Sequence, residues 1–169
     1  VLDATVELVG EDGYGAVTME AIARRAGVGK QTVYRWWPSK AAIVLEALNE
    51  GAAVIAPAQP DLRAFLRRTV RGAARNRRLL AGLMAEAQLD ETFAPSFRDD
   101  FLARRRAVLT EILDRDHAAD AEALAELVFS MLWYRILAHR PLDRRFADEL
   151  TDTVLALNER GRPVGRPRA

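Results

Sequence analysis

Apolar residues recur at helical intervals along almost the whole chain. Leu2, Thr5, Val6 and Val9 form one face of a first helix. Gly10, Gly13 and Gly15 end it, with Gly13-Tyr14-Gly15 as its C-terminal turn. Thr18 stands as the N-cap of a short helix from Met19 to Ala26, and Glu20 is favourable in its first turn. Gly27-Val28-Gly29 makes a tight turn, after which a second short helix runs from about Lys30 to Trp36. Pro38 stops that helix, and Ser39 caps a longer one through about Ala53.

Pro57 and Pro60 bracket a break. Beyond it, Leu62, Phe65, Leu66, Thr69, Val70 and Ala73 keep helical spacing, so this helix hides apolar residues on one side and shows Arg on the other. Further helices are predicted over about Leu79 to Leu89, from Phe97 to about Leu113 behind Pro95-Ser96, and from Ala118 to His139, where Pro141 ends the run. Between Leu127 and Leu137 the last of these is apolar almost all round, which requires burial on two sides, by the core and by a partner chain. Phe146, Leu150, Val154 and Leu157 stripe a final helix. No segment alternates as a strand would. The expected fold is all-α: a three-helix domain over residues 1–48, a larger helical domain over 49–159, and a basic Gly-Arg-Pro tail over 160–169.

Composition narrows the chemistry. The 169 residues are 50% hydrophobic and 29% charged, a globular rather than a disordered balance. There is no cysteine, which excludes a disulfide framework, thiolate metal sites and a cysteine nucleophile. No apolar run approaches the length of a membrane span, and the first residues lack the basic and apolar regions of a signal peptide, so a cytoplasmic location is expected.

The formal net charge is only +1, but the charges fall in blocks. From Thr18 to Lys40 the bases Arg24, Arg25, Lys30, Arg35 and Lys40 face a single acid, Glu20. Seven Arg lie between residues 63 and 78, and the tail carries Arg160, Arg162, Arg166 and Arg168. Both lysines of the chain, Lys30 and Lys40, lie in the first block.

Two short helices joined by a glycine turn inside a basic block describe a helix-turn-helix. Ile22, Ala23, Ala26, Val28 and Val33 would pin the two helices together, and Gly27 permits the sharp turn. The second helix is then free to enter a major groove with its N-terminal residues facing base edges. Lys30 can donate to guanine, Gln31 can bond adenine at two places, and Thr32 can offer its hydroxyl or touch a thymine methyl. Tyr34, Lys40 and the Thr18 hydroxyl are placed to bond phosphates. Arg24 and Arg25 read as a solvated face that adds long-range attraction.

This segment resembles the DNA-binding domain of the TetR family of transcriptional regulators. The run that carries the resemblance includes Gly13-Tyr14, Val17-Thr18-Met19, Ile22-Ala23, Ala26-Gly27-Val28, Thr32-Val33-Tyr34, Trp37 and Ser39-Lys40. Carried over residue by residue, the resemblance implies Thr18, Lys30, Gln31, Thr32, Tyr34, Trp36 and Lys40 as DNA contacts. It also implies a homodimer, an operator with two-fold symmetry, and a C-terminal domain (here 49–159) that binds a small-molecule effector. Two departures stand out. Gly29 replaces the usual Ser or Thr, and Trp36-Trp37 replaces the usual Tyr/His-Phe pair. Trp37 is expected in the core, whereas Trp36 can reach the DNA backbone through its indole N–H.

The resulting expectation is a regulator of transcription, a repressor released from its operator by a small molecule, that dimerises through the helices of residues 120–157. Trp133 and Tyr134 are the candidate ligand-binding residues, on the ground that such sites are largely apolar with a few polar groups. No cofactor, metal or membrane partner is expected. Asp114 and His117 are one helical turn apart, with Glu111 a turn earlier, but they read as an ordinary helix end. No Ser-His-Asp order, phosphate loop or dinucleotide fingerprint is present, which argues against an enzyme. The competing readings are a ligand-independent or architectural DNA-binding protein that uses the Gly-Arg-Pro tail in a minor groove, and a helical ligand-binding or enzymatic module.

Overall fold

The computed structural model describes residues 1–53, 61–118 and 120–161, so the Pro57/Pro60 break and the tail beyond Gly161 lie outside the described residues. The described chain is helical, without a strand. The elements are α1 (Leu2–Asp12), α2 (Met19–Arg25), α3 (Lys30–Trp36), α4 (Lys40–Ala53), α5 (Leu62–Arg75), α6 (Arg77–Leu89), α7 (Ala94–Ser96), a π-helical stretch (Phe97–Ala103), α8 (Arg104–Arg115), α9 (Ala121–Leu137) and α10 (Arg144–Gly161). They divide into two compact units, residues 1–58 with 76–104, and residues 59–75 with 105–169. The expected second domain, 49–159, contributes to both.

In the first unit α1 packs on α2, α4 and α6, and α4 also meets α6 and the π-helical stretch. The inward face of α1 is Thr5, Leu8 and Val9, whereas Val6 is exposed. Leu8 and Val9 straddle the direction of Thr5, while Val6 lies about 100° round the helix from it. Gly10 lies inside α1, which runs on to Asp12 before the Gly13 N–H closes on the Val9 carbonyl at 3.0 Å. The expected helix after Pro95 begins slightly earlier and contains the π-helical stretch. Phe93, Phe97 and Phe101 are all buried there, with the last two rings stacked at 5.4 Å and 11°.

In the second unit α10 packs along α5 and also on α9, and α5 meets α9. Leu66, Val70, Leu109, Ile136, Leu150 and Val154 are among its most deeply buried side chains. The starts of α5, α9 and α10 each carry an aspartate. Asp61 Oδ1 accepts the Ala64 N–H at 2.6 Å, Asp120 the Ala123 N–H at 3.0 Å, and Asp143 the Phe146 N–H at 2.9 Å. The Asp120 cap sets the start of α9 at Ala121 rather than at Ala118.

The arginine row of α5 is not simply solvated. Arg63 bonds Asp152 at 2.7 Å and approaches Asp148 at 3.4 Å, and Arg67 Nε donates to Asp148 at 2.6 Å. On α9 the face of Leu124, Ala125, Val128, Leu132 and Ile136 is buried, while Tyr134 and Leu137 are exposed. On α10, Phe146, Leu150 and Val154 are buried but Leu157, expected in the same stripe, is exposed together with Leu155.

Candidate nucleic-acid interface

The α2–α3 pair buries Met19, Ile22, Ala23 and Val33: Ile22 and Val33 have no exposed surface and Ala23 has almost none. Ala26 and Val28 are only half-buried. Gly27 turns the chain at φ +67°, a conformation that costs a residue with a Cβ, and the Val28 N–H then closes on the Ala23 carbonyl at 3.0 Å. Thr18 caps α2, its Oγ1 accepting the Ala21 N–H at 3.1 Å, and its hydroxyl proton stays available to a phosphate. α3 begins on Gly29, whose carbonyl accepts the Thr32 N–H at 2.9 Å; the missing hydroxyl leaves this helix without a side-chain cap.

With Val33 turned inward, the rest of α3 faces water. Lys30, Gln31, Thr32, Tyr34 and Trp36 are all exposed, Trp36 at 68%. Lys30 forms an ion pair with Glu20 of α2, and its ammonium lies 5.5 Å from the centre of the Tyr34 ring. The Glu20 contact raises the Lys30 pKa and lowers that of Glu20, chiefly through the hydrogen bond between them. Gln31 and Thr32 have no side-chain partner among the described residues, so their polar groups stand free at the tip of the helix. The Arg35 guanidinium lies 5.7 Å from the centre of the Trp36 ring.

Lys40 is held differently. Its Nζ donates to the Tyr14 carbonyl at 2.9 Å and lies 4.3 Å from the centre of the Tyr14 ring. Tyr14 is itself buried, and its hydroxyl donates to Glu86 of α6 at 3.2 Å. Burial first, and then the charge of Glu86, push the Tyr14 pKa upward. Gly82 makes room for this ring: a Cβ on it would sit 2.5 Å from Tyr14 ring carbons. The parts that Glu20, Tyr14 and Glu86 play in holding Lys30 and Lys40 are thus contacts that the sequence does not indicate. For Tyr14 the signal was its place in the Gly13-Tyr14 motif; for Glu86, on a separate helix, there was none.

Two further expectations change. Trp37 is half-buried rather than in the core, because its indole N–H donates to Glu46 at 2.8 Å and is held at the edge. Arg25 is not a free cation on a solvated face: it pairs with Glu11 at 2.7 Å and Glu7 at 3.4 Å, tying α2 to α1. Arg24 is exposed.

The candidate ligand residues lie elsewhere, on α9. Tyr134, 61% exposed, borders an open cleft of about 370 Å³ with Ser130, Met131, Arg135 and Arg140. Trp133, half-buried, points about 100° away around the helix and is not among the residues of that cleft. Among the described residues, no group of three His, Asp or Glu could hold a metal ion, and no helix is long and apolar enough to cross a membrane.

A buried contact between two short helices joined by a glycine turn, an exposed polar row on the second and cations at the helix starts define a helix-turn-helix DNA-binding regulator. The chain matches the family described as bacterial regulatory proteins, tetR family, over residues 1–47. Residues 58–154 match the tetracyclin repressor-like C-terminal domain. It is 30% identical over 152 residues to YdeS, an HTH-type transcriptional regulator of Bacillus subtilis, covering 81% of this chain and 76% of that one. It is 28% identical to the DNA-binding transcriptional repressor TetR of Mycobacteroides abscessus, covering 92% of this chain and 90% of the relative. The crystal structure of the TetR family transcription regulator SCO0332 superposes with a TM-score of 0.73 at 30% identity, covering 92% of this chain and 94% of that one. The chain belongs to the TetR family of transcriptional regulators and is a DNA-binding regulator of transcription.

Proposed function

We propose that the protein is a cytoplasmic repressor that binds a two-fold symmetric operator as a homodimer and is released from it by a small molecule. The observation that carries this reading is the exposed row Lys30, Gln31, Thr32 at the start of α3, anchored from behind by the buried Ile22 and Val33. Lys30, Gln31 and Thr32 read base edges, while Thr18, Tyr34, Trp36 and Lys40 bond the phosphate backbone. The exposed Tyr134 and Leu137 on α9 and Leu155 and Leu157 on α10 support dimerisation through residues 120–157, since they leave apolar surface for a second copy. The match to a tetracyclin repressor-like C-terminal domain supports a ligand-responsive second half, with Trp133 and Tyr134 as candidate contacts.

Release follows from linkage: the ligand favours a dimer whose two recognition helices no longer match two half-sites, and it can do so only by its differential affinity for the two states. The test is selection of bound DNA from a random pool with the full chain. A palindrome with half-sites one helical turn (roughly 34–36 Å) or a multiple of it apart is expected. Recovery of sequences without symmetry overturns the dimeric operator reading, and recovery of no preferred sequence overturns specific recognition.

A further inference from the structure

The second unit contains a cleft of about 440 Å³ between α5 and the turn that leads into α10. Its size falls within the range of small-molecule sites. Val70 and Leu142, both buried, contribute apolar wall. Arg67, Arg71 and Arg75 succeed one another at intervals of four along the α5 side, and Arg144 stands on the other.

These arginines are not equivalent. Arg67 is bonded to Asp148 at 2.6 Å, and Arg144 approaches the same carboxylate at 3.7 Å. Arg71 and Arg75 are exposed and have no ion-pair partner among the described residues. The one carboxylate that borders the cleft, Asp143, has its Oδ1 committed to the Phe146 N–H at 2.9 Å as the cap of α10. The cleft therefore joins an apolar wall to two guanidinium groups that form no ion pair among the described residues, each able to grip an oxyanion with two parallel N–H donors.

The geometry points to a binding site for a small amphiphilic anion, with a phosphate or carboxylate headgroup held by Arg71 and Arg75 and an apolar chain laid on Val70 and Leu142. This site is separate from Trp133 and Tyr134, and its occupation does not depend on the release mechanism proposed above.

The test is calorimetric titration of the full chain with butyl, hexyl and octyl phosphate and the matching alkyl carboxylates, with inorganic phosphate and hexanol as half-ligands. One site per chain is expected, with affinity rising with chain length and falling roughly tenfold or more when either half is missing. In the double variant Arg71→Gln/Arg75→Gln, with unchanged circular dichroism, affinity for the anion falls roughly tenfold or more, and Arg71→Lys/Arg75→Lys recovers part of it. Saturable binding by none of the probes overturns the proposal, as does equal affinity of wild type and the Gln variant. The salt dependence of DNA binding is measured on the same proteins. If the Gln variant loses about two from that slope and no probe binds, the arginines serve the DNA backbone, which also overturns the proposal.

Discussion

In α3 the leading cation, Lys30, stands at the surface beside Glu20 and the Tyr34 ring; in α5 the leading cations, Arg63 and Arg67, are drawn onto Asp148 and Asp152 of α10. Both helices bury one face and line the other with bases, so they look alike as local patterns. What separates them is the element across from the basic face. α10 places carboxylates against the first half of α5 and converts its cations into struts, while the second half is left with Arg71 and Arg75 over a cleft. The tip of α3 keeps its polar groups exposed, as a surface that reads another molecule must. Cation density marks a candidate surface, and the pairing of each cation decides its use.

The α3 platform is the most sensitive point of the DNA-facing unit. Ile22→Ala removes a fully buried side chain shared by α2 and α3 and is expected to cost about 2–5 kcal/mol of stability. Denaturant unfolding measures the loss, and specific DNA binding should fall with it. A stable protein that still binds would show that the exposed row needs no buried anchor.

Lys30→Ala leaves the platform intact and removes one proposed base contact, which is expected to cost about 1–3 kcal/mol of specific binding, or roughly 5- to 150-fold in Kd. Fluorescence anisotropy with a selected operator reads this directly, and thermal unfolding should barely change, since Lys30 and Glu20 pair at the surface. In the same assay the single variant Arg63→Ala is expected to leave DNA affinity nearly unchanged, because its partners are Asp148 and Asp152.

The arginine struts of α5 respond to pH. The Arg67 hydrogen bond, then the charges of Arg67, Arg63 and Arg144, hold the Asp148 pKa below the ordinary 3.8. A lowered carboxylate pKa contributes stability that is present above the unfolded value and lost as pH falls through the folded one. Asp148→Asn should therefore be less stable than wild type at about pH 7, with the difference shrinking below about pH 4. Denaturation midpoints measured across that range provide the check; a difference that does not change with pH would remove Asp148 as the ionised anchor of the α5 arginines.

The smallest effect belongs to the start of α3. Gly29 has ordinary backbone angles, φ −67° and ψ 143°, and a Cβ there would meet only Thr32 Oγ1, at 3.7 Å. Gly29→Ser should add a side-chain cap and raise stability by a few tenths of a kcal/mol. A loss of stability would mean that this backbone cannot take a capping rotamer.

Much of the first unit was legible because its signals are local. Thr18 and Ser39 cap helices through their own hydroxyls, Gly27 turns the chain at positive φ, and Ile22, Ala23 and Val33 fall on facing stripes. The family resemblance rests on those same residues. Illegible features depend on distant neighbours. Val6 is as apolar as Val9, and only the direction of α4 and α6 decides which is covered. Lys40 reads as a phosphate ligand, and its present partner is the carbonyl and ring of Tyr14, 26 positions away. Glu86 enters through a helix beyond residue 75 that clusters with residues 1–58, a grouping no local composition announces.

Helical content, the helix-turn-helix and membership of the family are readable along the chain, because caps, glycine turns and apolar periodicity act within a few residues of one another. Helix packing sets which arginines are struts and which stand without an ion pair among the described residues, which apolar residues stay exposed on α9 and α10, and that a cleft opens beside Arg71 and Arg75. Those outcomes turn on side chains tens of positions apart, such as Arg63 and Asp148, whose meeting is set by how whole helices pack and not by any pattern within one of them.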